Sequence, residues 1–142
     1  MWGGLICGTL DITAALIVYG HFGLKPLRLL KGIAAGVMGA SALAGGGAVA
    51  ALGLLIHFVI AYGAASVFVV VATQAKFLAR QWLLWGPLYG IAVYFFMNRL
   101  VVPLSGAIKY PFSLRMMIIG IVIHMVCVGS PIAGAAHRFL AD

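Results

Sequence analysis

The chain of 142 residues is 65% hydrophobic and only 8% charged, with a mean hydropathy of +1.19. Soluble domains carry about 25% charged residues, so this composition excludes one and indicates a membrane protein with little chain left for anything else. A net charge of +7 would suit nucleic acid, but the Lys and Arg stand singly at the ends of apolar runs. They read as interface anchors, and no nucleic-acid partner is expected.

Crossing a hydrocarbon core about 30 Å thick takes about 20 residues of helix. Four apolar runs are long enough, at about 2–19, 48–73, 82–102 and 116–136. The expected fold is an all-α membrane protein, one domain over 1–142, with four transmembrane helices as two repeated hairpins. A short interfacial or re-entrant helix is expected between the first two spans, at 25–43. Met1-Trp2-Gly3-Gly4 carries no basic n-region, so the first run is expected to stay as a span rather than be removed as a signal peptide.

The first span places Gly4 and Gly8 four apart, then Asp11, then Ala14 and Ala15. Small residues let helices approach, and an acid cannot sensibly face lipid, so this stripe should face other helices. His21, Gly23 and Pro26 close the span. The segment 25–43 has Pro26 in a plausible first turn and Arg28 and Lys31 nearby, then Gly32, Gly36 and Gly39 among alanines. It is too weakly apolar to span.

The second span carries the stripe Ala50, Gly53, His57, Ala61 and Ala64 at spacings of three and four, which puts His57 on the packing face. Lys76 and Arg80 mark its exit. Trp82 and Trp85 supply an aromatic belt for the third span, where Gly86 and Gly90 are again four apart and Asn98 and Arg99 form a secondary polar pair near the end. Ser113 is an N-cap candidate. In the fourth span Gly120, His124, Cys127 and Pro131 make the small or polar stripe.

Ile56-His57-Phe58-Val59 returns in the fourth span as Ile123-His124-Met125-Val126, and the Gly-xxx-Gly of the first span returns in the third. The hairpins thus read as a weak duplication about an axis along the membrane normal. Counting inward from one membrane face, Asp11, His57 and His124 all come to roughly 12–14 Å deep at about 1.5 Å per residue. That equal depth predicts an intramembrane Asp/His cluster. Cys7 and Cys127 both lie in spans without a CxxC pattern and are expected as free thiols.

Three functions fit such a cluster. It could fix bundle register in a non-enzymatic accessory or self-associating subunit. It could serve a small transporter or a proton or ion path. Or His57 and His124 could hold a haem; otherwise no cofactor and no metal is expected. Ser105, Ser113 and Ser130 lack His and acid partners at one depth, so no hydrolase triad and no enzyme is expected. Lys25, Arg28, Lys31, Arg99, Lys109 and Arg115 fall on one face, against Lys76, Arg80 and Arg138 on the other. The positive-inside rule then places both termini outside.

The chain also resembles the YagU-like family of small bacterial inner-membrane proteins, whose biochemical role is not established. The likeness rests on Gly8-Thr9-Leu10-Asp11-Ile12, on Pro26 with Arg28, and on Leu52-Gly53 with His57-Phe58. It continues through Tyr89-Gly90, Met97-Asn98 and Pro103-Leu104-Ser105 to His124-Met125, Gly129 and Pro131-Ile132-Ala133. It implies a multi-pass protein of the bacterial inner membrane and assigns no catalytic residue.

Overall fold

The computed structural model describes residues 2–140. Their regular structure is all helical, with four helices long and apolar enough to cross a bilayer: span 1 (Trp2–His21), span 2 (Gly47–Gln74), span 3 (Trp82–Leu104) and span 4 (Leu114–Leu140). All four start or end within a few residues of the hydropathy boundaries. Span 4 runs on past 136 because backbone hydrogen bonding does not stop where His137 and Arg138 lower the hydropathy.

Local chemistry sets the ends. Span 1 closes in a Schellman motif: Leu24 N–H donates to Tyr19 O (3.0 Å), Gly23 N–H to Gly20 O (2.9 Å), and Gly23 takes φ +85°, open to glycine without strain. Pro26 then opens the helix Pro26–Met38, where its missing N–H costs nothing. Gly39 at φ +73° ends that helix, and a 3₁₀ turn at Ala40–Ala44 leads into span 2. Ser113 caps span 4 by accepting from Met116 N–H.

Spans 3 and 4 each contain a π-helical turn, at Met97–Val101 and His124–Gly129. Each turn lies just upstream of a proline, Pro103 and Pro131. A proline lacks its N–H and crowds the carbonyl four residues back, and widening the helix relieves both. In span 4, Ser130 Oγ donates to Met125 O (2.7 Å), supplying a donor to the widened turn.

Span 1 packs on spans 2 and 4, span 4 packs on span 3, and spans 1 and 3 barely touch. The helix Pro26–Met38 crosses the start of span 2 and is tied to the loop after span 3 by Gly106 N–H donating to Gly36 O (3.0 Å). Its buried face is Ala34 and Ala35. The main core gathers Cys7, Phe68, Val128, Ile132 and the alanines of spans 2 and 4. Outward, Ile17, Leu55, Val70, Leu83 and Val126 are more than half exposed, an apolar surface suited to lipid.

Glycines decide how close the helices come. A Cβ at Gly4 would lie 2.5 Å from the Tyr62 ring, and one at Gly8 would lie 2.8 Å from Phe58, so two aromatic knobs of span 2 fill two gaps of span 1. Gly120 of span 4 likewise receives the Tyr94 ring of span 3 at 2.5 Å. At Gly53, Gly86 and Gly90 the neighbour is main chain: Leu30 for Gly53, Gly129 and Ser130 for Gly86, and His124 and Met125 for Gly90. Backbones meet there as in small-residue membrane crossings.

Candidate functional site

The polar side chains of the four spans are directed mainly at carbonyls. His57 Nε2 donates to Gly8 O across spans 1 and 2 (2.8 Å), and because a carbonyl only accepts, this nitrogen carries the proton. The space of the missing Cβ of Gly8 is taken up by the Phe58 ring and the Ala61 methyl, which brings span 2 close enough for His57 to reach that carbonyl. Cys7, fully buried, lies 3.4 Å from Gly4 O and 3.8 Å from Ala61 O. Tyr89 OH donates to Ala64 O (2.7 Å), linking span 3 to span 2, while its ring stands edge-on to Phe68 at 5.0 Å.

His124 behaves differently from His57. Its Nδ1 donates to Gly120 O of its own helix (2.9 Å), and its ring stands edge-on to Tyr94 at 5.4 Å. The repeated Ile-His-x-Val frames therefore end in opposite ring nitrogens and different partners. The sequence around each histidine is alike; the neighbouring helix is not. A glycine carbonyl is open to His57, whereas His124 meets the broad Tyr94 ring.

The expected convergence of Asp11, His57 and His124 is therefore corrected. Among the described residues there is no buried Asp/His cluster, no buried charged side chain, and no group of three His, Cys, Asp or Glu able to hold a metal. All three residues are half-buried, and neither imidazole bonds to the carboxylate. Equal depth was not enough, because both rings find carbonyls nearer than Asp11.

Asp11 itself makes no hydrogen bond or ion pair among the described residues. Cys7 lies one turn before it, and span 1 packs against the π turn of span 4 that carries Cys127. Asn98 and Arg99 sit in the π turn of span 3, both exposed; Asn98 Nδ2 donates to Tyr94 O (2.9 Å), and Arg99 lies within electrostatic reach of Tyr94.

The serines are committed to backbone as well: Ser105 Oγ donates to Val102 O (3.0 Å), Ser130 to Met125 O, and Ser113 caps span 4. None is set against a base. Tyr89, Tyr94 and Phe58 escaped the sequence reading as packing groups. Their only signal was an aromatic at the height of a Gly-xxx-Gly pair on another span, which becomes visible once helices are paired.

Comparison with protein families, with curated proteins and with solved structures found no significant match to this chain.

Proposed function

We propose that this chain is a non-catalytic, multi-pass membrane subunit that works by helix association, with itself or within a larger complex. Asp11 carries the reading. An ionised aspartate at mid-membrane costs about 2.5–3.5 kcal/mol on insertion scales. The histidines and Tyr89 meet carbonyls inside the chain, whereas Asp11 has no hydrogen-bond partner among the described residues. A donor from a neighbouring helix would relieve that cost, and the glycine-rich packing faces suit a protein built on close helix contact.

The same proposal takes the bacterial inner membrane as its location, in keeping with the resemblance noted in the sequence. The helix Pro26–Met38 fits an interfacial position, since it begins just after span 1 and ends against Gly106, just after span 3. The face with Lys25, Arg28, Lys31, Arg99, Lys109 and Arg115 would be cytoplasmic.

The test is the oligomeric state in nanodiscs or native lipid particles. Wild-type protein is expected to associate, Asp11→Asn to keep association because an amide still hydrogen-bonds, and Asp11→Leu to dissociate. Monomeric wild type in lipid, or undiminished association of Asp11→Leu, removes the proposal. A second reading shares the observation: a mid-span carboxyl with no hydrogen-bond partner among the described residues could pass protons or ions. It predicts a proteoliposome flux that Asp11→Asn abolishes without dissociating the protein. For the haem alternative, His57 would have to give up its Nε2 bond to Gly8 O or bind through Nδ1.

A further inference from the structure

Where spans 1 and 3 part over the C-terminal half of span 4, a groove of about 720 Å³ opens at the surface. Trp2 and Ile6 form one wall, Trp82 the other, and Pro131, Gly134 and Ala135 the floor. The Ser130 hydroxyl at its deeper end is already given to Met125 O. Arg138 stands at the rim, one turn beyond Gly134 and exposed, with no hydrogen bond or ion pair among the described residues. The only described acid, Asp11, lies more than two turns deeper than Trp2.

We propose that this groove holds an acyl chain of an anionic phospholipid, with its phosphate on Arg138. A cleft between membrane spans opens onto hydrocarbon, and its volume falls within the roughly 300–1,000 Å³ of small-molecule sites. Trp2 and Trp82 mark the headgroup level, where indoles settle. The guanidinium at that level is a fixed fork of donors suited to a phosphate. His137 reinforces the rim: it lies 6.1 Å from Trp82 centre to centre and donates from Nδ1 to Ala79 O (3.0 Å), which holds the end of span 4 against the turn before span 3. An adjoining hollow of about 400 Å³ shares Trp2, Ala135 and Phe139 with the groove and gives the second chain of the same lipid a place.

Quenching of tryptophan fluorescence by brominated lipids tests this in nanodiscs of stated composition. Phosphatidylglycerol with brominated chains is expected to quench wild-type protein at about fivefold lower mole fraction than brominated phosphatidylcholine, the effect of one basic group meeting an anionic headgroup. Arg138→Gln should erase that preference and Arg138→Lys should restore part of it. Lys109→Gln, on the opposite face, should leave it unchanged. Gly134→Leu, whose side chain would enter the groove, should reduce quenching by both lipids. Equal quenching of wild type by the two lipids overturns the site. So does an Arg138→Gln variant indistinguishable from wild type, or a Lys109→Gln loss as large as that of Arg138→Gln. Because Arg138 is exposed, its variants test the proposal even if Gly134→Leu does not fold.

Discussion

Gly90→Ala would add one methyl group where span 3 crosses span 4, and every atom it meets is backbone. The new Cβ would fall on the carbonyl oxygen of His124, 2.6 Å from the His124 carbonyl carbon and 2.8 Å from Met125 Cα. Ordinary carbon contact is about 3.5–4.0 Å, so the helices must separate by on the order of 1 Å, and no side chain can rotate to avoid it. Overpacking of this kind costs about 1–3 kcal/mol, partly offset by the roughly 1 kcal/mol that Ala gains over Gly inside a helix. Gly63 is the matched control: it is also mid-helix, and nothing lies within 4 Å of a Cβ there. Since the propensity gain is common to both, Gly63→Ala minus Gly90→Ala isolates the steric part, expected at about 1–3 kcal/mol. Reversible unfolding in mixed micelles, followed by circular dichroism, measures it. If the two variants agree within about 0.5 kcal/mol, the ordinary scatter of surface substitutions, the backbone crossing at Gly90 is not the close contact described.

Tyr89→Phe should cost about 0.6 kcal/mol, and at most about 1.7, the range of interhelical hydrogen bonds in membranes, while Tyr89→Ala also loses the ring on Phe68 and should cost about 3–5 kcal/mol; the same unfolding assay separates them. His57→Leu should fall within the Tyr89→Phe range, and a far larger loss would mean that His57 does more than bond Gly8. N-ethylmaleimide should modify half-buried Cys127 well before fully buried Cys7 in the folded protein, which peptide mass mapping reads directly; equal rates would contradict the packing of span 1 on span 2. Pro131→Ala restores a backbone N–H, so the π turn His124–Gly129 should tighten toward α-helix in amide exchange or solid-state NMR. Persistence of the turn would clear the proline of causing it.

Much of the architecture was legible because each signal is local. A bilayer requires each spanning helix to satisfy its own backbone, so long apolar runs read as spans without knowledge of their neighbours. Gly23 with Pro26, and Ser113 before span 4, announced their helix ends for the same reason. The two π turns were less visible. Pro131 was read only as part of a small or polar stripe, and whether a helix kinks or widens before a proline depends on what packs beside it.

Gly4, Gly8, Gly53, Gly86, Gly90 and Gly120 stood out in the sequence as small residues at helical spacing, but spacing does not say what fills the space. Only the assembled helices gave Gly8 a phenylalanine ring and Gly90 a main chain. The same limit undid the predicted cluster. Residue count and helical rise gave Asp11, His57 and His124 one expected depth. They could not fix the rotation of each helix about its axis or the identity of the nearest acceptor. Those follow from which helices touch: packing gave His57 the Gly8 carbonyl of span 1, whereas His124 turned to Gly120 O of its own helix, each within 3 Å, and neither ring bonds the carboxylate.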